Sequence, residues 1–331
     1  MTGRLRLPSD PARRPLDDEA VFIGGMPRSG TSLMRDIIGS HPDVAMFPGE
    51  LPVTTLLAGA FPEPFPPGKD EIERLVEAFV EHPRMERAGI ELDRRAILDG
   101  LAAEPAITRI TVLTHVLRQH ARQAGRPRWG VKEPLTEFYA DRLLAELPRA
   151  TVVHMVRDPR DVVSSQRAIW GSEAQHVVST TYAWRRSAAL AHRQPQARAR
   201  GYVAVRYENL VADPAAVVAA ICEGVGIAYR PELLLLSARP PWWVNSSDPT
   251  SSKGRADIFA SAVSRHVRDL PVADCCFMQL RARDEMERWG YQLRGVPLTA
   301  ADRSRVGLRF AQEAAWRPVK WWRDRRAASR G

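Results

Sequence analysis

Between Val21 and Glu50 the chain gathers residues able to hold and move an anionic group: VFIGGMPRSGTSLMRDIIGSHPDVAMFPGE. Gly24, Gly25 and Gly30 offer main-chain N–H groups with little side-chain bulk around them, and Pro27, Arg28 and Ser29 lie between, so that one guanidinium stands in the loop. Thr31 and Ser32 add hydroxyls where Leu33, Met34, Ile37 and Ile38 begin a helical spacing. The unbonded N–H groups and the dipole of a helix N-terminus favour negative charge. A planar guanidinium grips two oxygens of a phosphate or sulfonate together. The chemistry expected is capture of an anionic donor for group transfer. A plain strand-to-helix turn is the competing account, and the coincidence of glycines, arginine, hydroxyls and helix argues against it.

Three further segments carry matching chemistry. Val152–Val156 reads as a buried strand delivering Arg157, with Ser164 and Ser165 two turns into a helix that Asp158 caps and Pro159 opens. Tyr202–Tyr207 reads as another strand, with Arg206 and Tyr207 at its end. Trp129–Pro134 is a short stretch around Lys132 and Glu133, and Pro134 favours extended geometry at the residue before it. A salt bridge to Asp158 or Asp161 is the competing account of Arg157. His154, inside a strand, reads as a core residue, and His41 as the residue that fixes the end of its helix.

To position these residues the chain alternates strands with helices. Helices are expected over Asp70–Leu101 with a break at Pro83, Ile107–Ala124, Thr136–Leu147, Glu173–Gln194, Asp213–Gly224 and Asp274–Trp289. This pattern predicts an α/β fold: a P-loop-like three-layer α/β/α arrangement with a central parallel sheet and ligands at the carboxyl ends of its strands. Leu51–Ala124 is expected to form a helical insertion that builds the acceptor side, together with Trp242-Trp243. Residues 1–18 read as a flexible arm, 19–300 as the folded domain, and 301–331 as a basic tail rich in tryptophan and arginine.

Composition narrows the class. The 331 residues are 44% hydrophobic, without an apolar run long enough to cross a membrane or an apolar signal core at the start, which predicts a cytoplasmic protein. Cys222, Cys275 and Cys276 read as buried thiols, and the eight histidines show no metal spacing. Net charge is +9, of which the last 31 residues supply +6, so basicity belongs to the tail and predicts no nucleic-acid partner. Trp316, Trp321 and Trp322 interleave with Arg317, Lys320, Arg323, Arg325 and Arg326. Two readings follow, a weak membrane-surface contact or a helix packing its tryptophans on the body; the second is preferred.

With these residues in view, the sequence resembles sulfotransferases that use 3′-phosphoadenosine 5′-phosphosulfate, above all the protein-tyrosine and bacterial branch. Pro27-Arg28-Ser29-Gly30-Thr31-Ser32-Leu33-Met34-Arg35 is similar to that family's 5′-phosphosulfate loop, followed in family order by His41-Pro42-Asp43-Val44 and Gly49-Glu50. Residues Val156 to Ser165 resemble its 3′-phosphate segment, Gly130 to Pro134 the stretch with its catalytic lysine, and Tyr207-Glu208-Asn209-Leu210 with Asp213-Pro214 a further signature. Ser252-Lys253-Gly254 stands where the family closes its 3′-phosphate site with Arg-Lys-Gly. The resemblance implies a sulfotransferase domain over 19–300 that needs no metal. It implies Arg28, Lys132 and Glu50 as catalytic residues. It places the donor on Pro27, Arg28, Ser29, Gly30, Thr31, Ser32, Arg157, Ser165, Tyr207, Lys253 and Gly254, with Arg167 as a further candidate for the 3′-phosphate. The expected acceptor is a hydroxyl of a small molecule or carbohydrate, with a protein tyrosine as the alternative. A P-loop kinase would need a lysine where Thr31 stands, and a non-catalytic nucleotide-binding module would not need Lys132 and Glu50.

Overall fold

The computed structural model describes residues 19–51, 53, 68–87, 89–171, 177–193, 201–235, 262–295 and 297–328. Five strands form one parallel sheet: β1 (Val21–Gly25), β2 (Val44–Met46), β3 (Arg128–Lys132), β4 (Thr151–Val156) and β5 (Tyr202–Arg206). Their order is β2-β3-β1-β4-β5. The chain leaves β1 towards one edge and later returns past it to the other, so β1 is the switch point where an open parallel sheet leaves a crevice. Register places Ile23 opposite Lys132, Gly25 opposite Met155 and Val156 opposite Arg206, which brings four strand ends to one edge.

Both faces of the sheet are covered, as the apolar runs predict. Phe22, Val131 and Val152 pack on one face against α4 (Arg94–Ala102), α5 (Arg109–Gln123) and α6 (Ala140–Glu146). Val21, Ile23, Val153 and Val205 pack on the other against Met34, Ile37 and Ile38 of α1 (Thr31–Gly39) and Val218, Ile221 and Cys222 of α10 (Pro214–Val225). Alternate residues of one strand thus serve opposite layers. Helical periodicity over Asp70–Leu101 resolves into α2 (Lys69–Val80), α3 (Pro83–Arg87) and α4, and Asp93 starts α4 by accepting the Ala96 N–H at 3.0 Å. The helices α7 (Pro159–Trp170), α8 (Val177–Arg193), α9 (Tyr207–Ala212), α11 (His266–Asp269) and α12 (Val272–Arg288) complete the body.

Three strands were legible as strands; β2 and β3 are additions. Three residues show no periodicity of their own, and β2 exists because it pairs with β3. The last helix, α13 (Ala300–Ala328), begins docked on the body: Phe310 meets Phe277 edge-on at 5.2 Å, Arg309 bonds Asp274 at 2.8 Å, and Trp316 lies 5.2 Å from Tyr182. The side chains of Trp321 and Trp322 lie outside the described residues, as do the arm 1–18, Trp242-Trp243 and Ser252-Lys253-Gly254. Among the described residues no helix is long and apolar enough to cross a membrane.

Candidate active site

The loop after β1 is a tight, strained turn. Ser29 N–H bonds Met26 O at 3.0 Å, and both Arg28 (φ 75°) and Gly30 (φ 91°) are left-handed. For Arg28 that conformation costs about 1 kcal/mol or more and persists only where neighbours hold it. Arg157, just after β4, and α7 supply that hold. Arg157 Nη1 donates to Arg28 O at 2.8 Å, Arg28 Nε donates to Ser165 Oγ at 3.1 Å, and Gln166 Nε2 donates to Pro27 O at 3.3 Å. Gly30 is required by its neighbour as well as its backbone, because a Cβ there would lie 2.5 Å from the Tyr207 ring. Tyr207 opens α9 rather than closing β5, and its ring lies between Gly30 and the Arg157 guanidinium, 4.7 Å away. It buttresses both.

The loop fits an anion. Ser29 is fully buried, yet its Oγ has no hydrogen-bond partner among the described residues; the same holds for Arg157 Nε. A buried donor left unmet costs about 1–3 kcal/mol, and such atoms beside a helix N-terminus can receive the oxygens of an anionic ligand. Thr31 and Ser32 begin α1 at that point.

Lys132 ends β3, and Glu50 reaches it from 82 residues away. Phe47 N–H bonds Gly130 O at 2.7 Å, carrying the ladder one residue past β2; Pro48-Gly49 then turns the chain so that Glu50 Oε1 meets Lys132 Nζ in an ion pair. The lysine side chain is 1% exposed and the glutamate 28%, so the pair is dry on one side and open on the other. Arg35 of α1 steadies this turn by donating to Pro48 O at 2.8 Å. Burial lowers the Arg35 guanidinium to about 10, and the charge of Glu50 acts against that fall.

Some residues with suitable chemistry are committed elsewhere. Arg206 stacks over Tyr291 at 4.4 Å and pairs with Glu208, and Arg167 bonds Asp274 at 2.6 Å. Ser164 Oγ bonds Asp269. The acids next to Arg157 are engaged by other partners: Asp158 holds Arg160 through both oxygens, while Asp161 receives His266 Nδ1 at 2.7 Å and the main-chain N–H groups of Ser264 and His266. Arg157 gives its terminal nitrogens to main-chain oxygens instead, the second to Ala262 O at 2.6 Å. His41 holds Ala228 O and the Asp43 N–H, fixing the chain after α1. His154 is buried between Tyr202 and Ser187. The sequence reading assigned no role to Gln166, Arg35 or Glu137, which accepts the Gly25 N–H at 2.6 Å; Arg35 lies within the loop motif, whereas no motif marks Gln166 or Glu137. Among the described residues no group of three or more side chains could hold a metal ion.

The sulfotransferase family model matches residues 20–231. A protein-tyrosine sulfotransferase of Drosophila melanogaster is 26% identical over 199 residues, which cover 59% of this chain and 35% of that protein; the chain spans about a third of that relative's length. Among solved structures, the sulfotransferase domain of the Synechococcus PCC 7002 olefin synthase superposes with a TM-score of 0.51 at 20% identity, covering 83% of this chain and 95% of that one. The sulfotransferase domain from the curacin biosynthetic pathway gives 0.54 at 18% identity, covering 83% and 98%. Both share the fold.

Proposed function

The chain belongs to the sulfotransferase family, and we propose that it moves a sulfuryl group from 3′-phosphoadenosine 5′-phosphosulfate to a hydroxyl of a small-molecule or carbohydrate acceptor. The observation that carries this reading is the direct bonding, at the carboxyl edge of the sheet, of the two segments assigned to the donor's anionic ends, 129 residues apart: Arg157 on Arg28 O, answered by Arg28 on Ser165.

The main-chain N–H groups of Arg28 and Gly30–Ser32 would hold the 5′-phosphosulfate with Ser29 Oγ and the Arg28 side chain. Arg157 and Ser165, with Tyr207 behind them, would grip the 3′-phosphate; Lys253 and Gly254 are assigned there as well. When bound, the donor supplies a sulfuryl group whose sulfur passes from a phosphate oxygen to the acceptor oxygen. Such transfers rest on positioning and on charge stabilisation where charge develops. Lys132 would neutralise the leaving phosphate oxygen, and Glu50 would take the proton of the acceptor hydroxyl. In the structure the two neutralise each other. An anion in the loop competes for Lys132 and so releases Glu50 to act as base. Cytoplasmic work suits the three free thiols.

A protein-tyrosine acceptor is the second reading, favoured by the Drosophila relative. Calorimetry tests the donor: adenosine 3′,5′-bisphosphate should bind well ahead of 5′-AMP, and equal affinities would overturn the assignment of Arg157 and Ser165. Transfer of labelled sulfate to sugars, phenols, lipids and tyrosine peptides then decides the acceptor, and transfer to tyrosine peptides alone would replace the small-molecule reading.

A further inference from the structure

Gly25, where β1 meets the loop, is held on both sides. Its carbonyl accepts the Leu135 N–H at 3.0 Å, and its own N–H donates to Glu137 Oε2 at 2.6 Å. Glu137 lies in the 3₁₀ turn Thr136–Tyr139 and is fully buried. Its other oxygen, Oε1, accepts from Ser187 Oγ at 2.6 Å. Having given its proton to Glu137, the Ser187 hydroxyl can only accept from His154, at 3.0 Å, so the imidazole proton sits on Nε2. His154 Nδ1 is then the acceptor for the Tyr202 hydroxyl at 2.6 Å. One direction of donation runs from Tyr202 on β5 through His154 on β4 and Ser187 on α8 to Glu137, and there meets the loop.

The sequence makes room for this carboxylate. A Cβ on Gly24 would lie 2.7 Å from Glu137 N and 2.9 Å from Glu137 Oε2. The first glycine of the pair therefore serves Glu137, and the second, at φ 129° with its Cβ position 2.3 Å from Met155 O, turns the chain into the loop. Burial pushes the Glu137 carboxyl up, while Ser187 and main-chain N–H groups draw it back down. Burial also keeps His154 neutral, its ring pushed down to about 3. Burying a carboxylate costs several kcal/mol, and the strand ladder does not need it.

We propose that Glu137 is a positioning residue of the donor site: held from behind by Ser187, His154 and Tyr202, it fixes Gly25 and thereby sets where Arg28 and Gly30 present their N–H groups to the donor. This rests on the reading that the loop holds the donor's anionic end. Glutamine at 137 keeps an acceptor for the Gly25 N–H but must donate to Ser187. That reverses the chain and moves the His154 proton to Nδ1.

Calorimetry and nitrogen-15 spectra of the full chain test this. Glu137→Ala should weaken adenosine 3′,5′-bisphosphate about tenfold and raise the donor KM by a similar factor, with the acceptor KM unchanged. Glu137→Gln should restore affinity to within about threefold of the parent while the His154 proton appears on Nδ1. Ser187→Ala, which leaves Glu137 in place without its support, should weaken the nucleotide about threefold, and it decides the matter if Glu137→Ala does not fold. Unchanged nucleotide affinity in a folded Glu137→Ala, or in Ser187→Ala where the other fails to fold, overturns the proposal; so does a His154 proton already on Nδ1 in the parent. A parent protein that does not prefer the bisphosphate to 5′-AMP would remove the donor reading instead, and the ligand-free His154 spectra would still report on the chain.

Discussion

Glu50→Gln should destabilise the ligand-free protein more than Lys132→Met, although both remove the same ion pair. The asymmetry comes from exposure: 1% for the lysine side chain and 28% for the glutamate. Removing one partner of a buried pair costs about 3–5 kcal/mol, because the remaining charge cannot reach water. Glu50→Gln leaves an ammonium in that position. Its wetter partner and its other interactions reduce the loss to about 2 kcal/mol. Lys132→Met leaves a carboxylate that water can reach and replaces the buried stem with one of similar volume, so the loss should stay below about 1 kcal/mol. Denaturant titration of both variants and of the double variant is the assay. The cycle should show a coupling of about 1.5 kcal/mol, since the double variant strands no charge. Saturating adenosine 3′,5′-bisphosphate should narrow the gap between Glu50→Gln and the parent, because a phosphate then takes over as partner of Lys132. A loss for Glu50→Gln no larger than that for Lys132→Met, or strict additivity in the cycle, would refute the account of Lys132 as a buried ammonium masked by Glu50.

Three other outcomes are expected. Arg157→Ala removes the bonds to Arg28 O and Ala262 O as well as the proposed partner of the 3′-phosphate, so bisphosphate affinity should fall about thirtyfold and 5′-AMP affinity much less, read by calorimetry. Gly30→Ala drives a Cβ into the Tyr207 ring at a left-handed φ and should cost about 2–3 kcal/mol, whereas Gly125→Ala, at φ 64° with open space around it, should cost about 1 kcal/mol; equal losses in denaturant would reject the Tyr207 contact. His154 is held neutral, pushed down to about 3, while the unfolded ring protonates near 6.5. The unfolded state therefore binds the extra proton as pH falls through 6.5 towards 3, and stability drops across that window. Between pH 7 and pH 5 the drop from this ring is about 2 kcal/mol. His154→Asn should lose about that much less than the parent over the same interval, and parallel stability curves would contradict the assignment.

Elements with local causes can be read from the order of the residues. Val21–Ile23 followed by glycines and a helical spacing specifies strand, turn and α1; Asp158 accepts the Arg160 N–H and Pro159 opens α7; Pro83 divides the helices of the insertion. These depend on residues a turn or two apart, which is the range over which periodicity, capping and proline geometry act. The turn between β1 and α1 was legible for the same reason. Tertiary structure decided what each side chain met. β2 became a strand only when β3 lay beside it, because three residues cannot stabilise a ladder alone. Arg157, Arg167 and Arg206 look alike along the chain; the first turns to the loop, the second to Asp274 and the third to Tyr291 and Glu208. Glu50 and Lys132 stand in separate motifs, and only the parallel pairing of β2, β3 and β1 brings their charges into contact. The glycine at 24 reads as one more loop glycine until Glu137 is seen packed against it, 113 residues further along. A close approach of that kind depends on how the layers stack, and no spacing in the sequence records it.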